Sequence, residues 1–299
     1  MKFSNRIRFL LFGKDGQVGE ELNRSLAPLG ELFAYGDGEF DLTQIDQMMN
    51  IVNEIKPNVI VNAAAYTAVD QAEVFPEIAM TANGIAPGAL AEKARTMHIV
   101  LIHYSTDFVF DGKKAKPYNE SDEPNPLSLY GKSKLVGERS IQDIGDSFLI
   151  LRTSWVYSMG HDNFVTKVLK WSRTQKQIHV VDDQIGSPTW ARTLAKTTTS
   201  ILESNQDVYN FIKERSGIYH LAGEGAASRY DWANAILHFD PHIEERVVQE
   251  LVRDKSSNFP TPAIRPTFSA LDSTRIKKTF GIKLLGWKKY LYQAMNEQL

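Results

Sequence analysis

The stretch "LYGKSKLVGE", Leu129 to Glu138, sets a phenol, Tyr130, at the mouth of a predicted helix and an ammonium group, Lys134, four residues behind it. Residues i and i+4 share a helix face, so one surface would carry a weak acid of ordinary pKa about 10 and a cation that favours its ionised form. That pairing suits a general acid delivering a proton to an oxygen as charge forms there. Lys132 points elsewhere and is expected to be dispensable. A wetted aromatic beside a solvated lysine is the plain alternative. A second chemical pattern weighs against it: Gly13-Lys14-Asp15-Gly16-Gln17-Val18-Gly19 follows an apolar run and opens a helical one. Glycines in that setting let backbone N–H groups approach a pyrophosphate at a helix N-terminus.

Both patterns need elements to hold them, and the chain supplies an alternation of short apolar runs and helical stretches, the mark of parallel β-α-β units. "IRFLLFG" reads as the first strand, "VGEELNRSLAPLG" as a helix and "ELFAYG" as the second strand. "DLTQIDQMMNIVNEIKP" is a helix that Asp41 or Thr43 would cap. "NVIVNAAA" and "IVLIHYST" are the third and fourth strands, separated by one helix, "AMTANGIAPGALAEKARTM". "DGKKAKPYNESDEPNPLSL" has no apolar periodicity and reads as a surface loop whose end delivers Tyr130. "FLILRTSWVY" is a strand, "WARTLAKTTTSILES" a helix and "GIYHLAGEG" a late strand. The proline-studded "SSNFPTPAIRPTFSALD" cannot be a regular element. The expected fold is α/β, a Rossmann-type doubly wound parallel sheet with a smaller C-terminal substrate domain. The dinucleotide-binding part would span residues 1–152 and about 190–220, and the substrate part 153–189 and 221–299.

The 299 residues exceed the common single-domain size and allow a sizeable core. A net charge of -2 gives no basic footprint for nucleic acid or an anionic membrane surface. The absence of cysteine excludes disulfides, thiolate chemistry and cysteine-based zinc sites. "FLLF" near the start is too short for a signal sequence's apolar region and reads as a buried strand. A cytoplasmic protein is expected, with no membrane span.

The seven-residue glycine spacing, "NAAA" at Asn62 to Ala65, "YSTD" at Tyr104 to Asp107 and "YGKSK" together resemble the extended short-chain dehydrogenases. "LFGKDGQVGEEL", "VNAAAYTAVDQAE", "HYSTDFVFDG", "PLSLYGKSKLVGE", "LRTSWVY", "DQIGSPTW" and "FPTPAIRPTFSALD" narrow the resemblance, in order and across nearly the whole chain, to the dTDP-4-dehydrorhamnose reductase family. That resemblance implies reduction of the 4-keto group of dTDP-4-dehydro-L-rhamnose by NADPH or NADH. It makes Tyr130 the acid, Lys134 its electrostatic partner and Thr106 a hydroxyl on the substrate carbonyl. It implies a cofactor wall of Gly13, Gly16, Gln17, Val18, Asp37, Asp41, Asn62, Ala63, Ala64, Ala65, Tyr130 and Lys134. Thr67, Thr106, Asp107, Trp155 and Arg265 would face the dTDP-sugar, Arg265 through its phosphates unless it serves a structural ion pair.

Phe108 and Phe259 stand where relatives commonly carry tyrosine, so a hydroxyl is missing at each. At the end of the second strand, where an acid would receive the ribose hydroxyls, Gly36 takes the place with Asp37 one residue on. NADH and NADPH are therefore expected to serve about equally. Some members of the family are associated with magnesium at a dimer interface; no residue here compels the ion, and a homodimer is only allowed. The bare i, i+4 interval of His238 and His242 spans a proline and is not read as a metal site. The competing reading is a non-catalytic dinucleotide-binding regulatory subunit, similar to that of methionine adenosyltransferase.

Overall fold

A computed structural model describes residues 6–203 and 206–297. Its centre is a six-stranded parallel sheet built from β1 (Arg8–Phe12), β2 (Glu31–Tyr35), β3 (Val59–Asn62), β4 (Val100–Thr106), β5 (Phe148–Thr153) and the edge strand Gly217–His220. From one edge to the other the order is β2, β1, β3, β4, β5 and then Gly217–His220. The chain reverses its direction of winding between β1 and β3, and in doubly wound sheets a ligand crevice opens outside the strand ends at such a point. Registers are regular, with Phe12 opposite Asn62 and Thr106 opposite Thr153. β3 and β4 are buried throughout, as apolar runs covered on both faces must be.

Helices α1 (Gln17–Leu26), α2 (Ile45–Ile55), α3 (Val69–Val74), α4 (Pro76–Met80), α5 (Ala86–Met97) and α6 (Leu129–Ile144) flank the sheet. One core gathers Leu11, Val61, Ile102 and Leu151 against Leu22 of α1 and Leu194 of the helix Ala191–Glu203. The opposite core sets Leu10, Ile60 and Ile150 against Met48, Leu90 and Ile141. A separate cluster collects Tyr157, Val168, Trp190, Trp232, Trp287 and Leu291 from the later part of the chain.

The structure differs from the pattern-based reading in four places. Asp41 does not cap α2; its carboxylate accepts from the Thr43 amide and hydroxyl in a turn, and Gln44 is the residue before the helix. The stretch read as one helix from Ala79 splits into α4, a π-helical turn Thr81–Ile85 and α5 with Pro87 near its start. Buried Asn83 in that turn bonds both the Tyr66 amide and carbonyl and the Ser133 hydroxyl. "FLILRTSWVY" is broken after Thr153, because Trp155 takes a left-handed φ of 45° before the short strand Val156–Tyr157. The late strand ends at His220. Among the described residues no helix is long and apolar enough to cross a membrane. The question of a leader turns partly on residues 1–5, which lie outside the described residues.

Candidate active site

The glycine turn and the ends of β2 and β3 enclose a cleft of about 550 Å³ lined by Gly13, Gly16, Asp37, Asp41 and Ala63 to Thr67, among others. Gly13 has a φ of 90°, and a Cβ there would lie 2.7 Å from the Ala64 amide nitrogen. Gly16 is different: a Cβ on it would meet only the Gly13 carbonyl oxygen, at 3.5 Å, so its bare face is turned to the cleft. These glycines and alanines form a wall that backbone and small groups alone build, which fits a dinucleotide pyrophosphate at the start of α1. Gln17 and Val18 contribute their place at that helix start rather than free side chains. Gln17 is occupied by Ser158 and Asn163, and Val18 packs on the core. Thr67, expected at the sugar, lines this same cleft.

The acid missing at position 36 comes from elsewhere. The Asp15 carboxylate occupies the space a side chain on Gly36 would need, and Asp15, Asp37 and Asp41 all line that end of the cleft. Lys14, the nearest cation in sequence, is held by Glu39 at 2.6 Å. The balance expected from Gly36 alone is thereby shifted toward negative charge, which opposes a 2′-phosphate.

Ser128 caps α6 by accepting from the Gly131 amide, and Glu73 accepts from the Leu129 amide at 2.8 Å. Gly131 lets this helix mouth close on the Phe108 carbonyl, where any Cβ would collide. The result is that Tyr130 stands beside Thr106 at the end of β4, with the Phe108 ring edge-on to it at 5.7 Å. Burial pushes the Tyr130 phenol up to about 12, opposed by the Thr106 hydroxyl. Thr106 also lies 3.2 Å from a carboxylate oxygen of Asp107 and accepts from the Phe108 amide.

The Lys134 ammonium is not aimed at the phenol as its spacing suggests. Its ammonium is turned to the Tyr104 carbonyl at 2.7 Å and to His103 Nε2 at 3.3 Å. On the far side of the ring, His103 Nδ1 lies 3.2 Å from Asn62 Nδ2, while Asn62 Oδ1 accepts from the Ala64 amide. That amide orientation leaves the ring hydrogen on Nε2, facing Lys134. A neutral lysine accepts it and a charged one cannot. Burial acts in the same direction and brings Lys134 down to about 8, and it holds His103 well below its ordinary value. His103 was not singled out from sequence; its only signal was its place in "HYSTD". Lys132 is exposed.

On the other side of Thr106, Asp107 is enclosed, accepting from the hydroxyls of Ser154 and Ser269, and burial raises its pKa despite them. Its acceptors are thus spent within the chain, unlike a carboxylate open to substrate. Arg265 is likewise occupied: its fork takes Asp70 with both terminal nitrogens, at 2.7 and 3.2 Å. The structural ion pair is therefore what the chain makes there. Trp155 is half-buried and stacks on Trp232 with ring centres 5.5 Å apart. Phe259 is exposed. His238 packs on Phe239 and His242 faces Glu244, so the two histidines do not meet as ligands.

The family model described as the RmlD substrate binding domain matches residues 7–299. A dTDP-4-dehydrorhamnose reductase of Burkholderia thailandensis is 39% identical over 94% of this chain and 96% of its own length. That of Escherichia coli K12 is 37% identical over 97% and 98%. The solved dTDP-4-dehydrorhamnose reductase of Bacillus anthracis, in complex with NADP, superimposes with a TM-score of 0.87 at 28% identity, covering 96% of this chain and 98% of the other.

Proposed function

The chain belongs to the dTDP-4-dehydrorhamnose reductase family, and from that premise we propose that it reduces the 4-keto group of dTDP-4-dehydro-L-rhamnose to give dTDP-L-rhamnose. The observation that carries this reading is the meeting of the Thr106 and Tyr130 hydroxyls at the end of β4, next to the small-residue wall that ends β3. A bound NADH or NADPH supplies the hydride. Gly13, Gly16 and Ala63 to Ala65, with Asn62 behind them, would hold the dinucleotide.

Reduction at C4 places negative charge on O4, and Tyr130 delivers a proton there while Thr106 orients the carbonyl. A phenol held near 12 is fully protonated at neutral pH, so the acid is always loaded. Lys134 stands ready, on the same helix face, to return the phenol's pKa toward working pH when its ammonium is charged. Residues 1–152 and about 190–220 act as the cofactor part, and 153–189 with 221–299 as the sugar part. The reaction takes place in the cytoplasm, where the reduced cofactor is available.

The test is loss of NAD(P)H absorbance with purified protein and enzymatically made dTDP-4-dehydrorhamnose. Turnover by the wild type that collapses in Tyr130→Phe supports the reading. Cofactor binding without any turnover would favour the regulatory-subunit alternative.

A further inference from the structure

Arg229 begins the helix Arg229–Phe239 and is half-buried. Its guanidinium lies over the Trp155 ring, with its carbon 3.7 Å from the ring centre, and 5.1 and 5.5 Å from those of Phe164 and Trp232. Among the described residues its side chain makes no ion pair and no hydrogen bond. Stacking on aromatics satisfies the face of a guanidinium, not its in-plane N–H groups. Burying a cation with those donors unmatched is costly, and burial does hold its pKa down to about 10. The charges it feels are Asp107, which attracts, and Arg265, which repels. Asp107 follows Thr106 directly and accepts from Ser154, the residue before Trp155, so Arg229 stands near the Thr106 end of the site.

Its support is also built rather than incidental. Trp155 holds a left-handed backbone, and its indole fills the space above Gly186 that any side chain there would take. Left-handed non-glycine residues are strained and persist where the surroundings demand them. Here the consequence is a rigid indole shelf under the guanidinium. Arg265, the residue that sequence reading assigned to phosphates, has its fork filled by Asp70.

We propose that Arg229, stacked on Trp155, is the side chain that binds a phosphoryl group of the substrate's nucleoside diphosphate, leaving Arg265 to brace the loop through Asp70. The proposal rests on the nucleotide-sugar reading above. Two in-plane N–H groups match two phosphoryl oxygens, the geometry a guanidinium offers and an ammonium does not.

Calorimetry with dTDP and with thymidine, on wild type, Arg229→Met and Arg229→Lys saturated with NADH, tests it. Charged hydrogen bonds of this kind correspond to about ten- to a hundredfold in affinity. Arg229→Met should lose that much for dTDP and almost nothing for thymidine, with Arg229→Lys in between and NADH affinity unchanged throughout. Inorganic pyrophosphate should compete with dTDP on the wild type and not on Arg229→Met. A dTDP affinity in Arg229→Met within about twofold of wild type overturns the proposal. Equal losses for dTDP and thymidine overturn it too, since Arg229 would then act by holding the Trp155 shelf. These titrations need no turnover, so a wild type that binds dTDP through Arg229 but reduces no keto sugar would refute the activity and keep the phosphoryl contact.

Discussion

Arg152 and Arg229 are both arginines lying against aromatic rings, and their surroundings are opposite. Arg152, in β5, is 2% exposed and 5.1 Å from the Phe110 ring centre; Glu138 takes its Nε at 2.9 Å and a terminal nitrogen at 2.6 Å. The Ser105 hydroxyl donates to the same carboxylate. This cation is closed, its charge and two of its donors matched by one carboxylate within the chain. Arg229 has the rings without the carboxylate. Closed polar groups hold one strand and helix in register; open ones are aimed at something the chain does not contain. By the same contrast the Lys134–His103–Asn62 chain is closed, whereas the hydroxyls of Thr106 and Tyr130 meet at the strand end.

The largest effect should come from opening the closed pair. Arg152→Met strands the Glu138 carboxylate in the core, and urea unfolding is expected to show a loss of about 3–5 kcal/mol. Arg229→Met should cost no more than about 2 kcal/mol, the scale of a desolvated cation–π contact. Comparable losses in the two variants would erase the distinction.

Next in size is the open hydroxyl. Tyr130→Phe is expected to lower kcat at least about a hundredfold, the scale of a positioned acid, with cofactor affinity nearly unchanged. Retention of most of the wild-type kcat would leave Tyr130 as a wetted aromatic at a helix mouth.

A smaller and pH-dependent effect distinguishes Lys134. The unfolded chain keeps this proton to about 10.4, the folded one only to about 8. Between these values the unfolded state binds more protons, so the Lys134 contribution to stability rises with pH across that window. The difference in melting temperature between wild type and Lys134→Met should therefore shift in the wild type's favour from pH 8 to 10. His103→Phe, which removes the facing ring hydrogen, should move the alkaline limb of the kcat profile upward; an unmoved limb shows the ring to be packing only.

The smallest effect concerns the acidic end of the cleft. Asp15→Asn is expected to raise kcat/KM for NADPH relative to NADH by up to about tenfold, near 1.4 kcal/mol. If the ratio stays put, Asp37 or Asp41 governs the choice.

Much of this site was legible in the residues themselves, for local reasons. A glycine turn after an apolar strand and a Tyr-x-x-x-Lys pair on one helix depend on neighbours in sequence, and Gly13, Gly16, Tyr130 and Lys134 stand on those elements as read. The parallel sheet followed from the alternation of apolar runs with helical periods, because buried strands must be apolar on both faces. What the local pattern lacked was the identity of partners far along the chain. The spacing of Lys134 set its helix face, but the direction of its ammonium was decided by His103 and the Tyr104 carbonyl on a neighbouring strand. Gly36 read as the loss of an acid until folding brought Asp15 over it. Arg265 and Arg229 differ little as sequence, each an arginine near a turn. Asp70, 195 residues from Arg265, closes the one, while three aromatic rings leave the other's N–H edge open. Charge at a site is a sum over neighbours in space, and only the fold determines which neighbours those are.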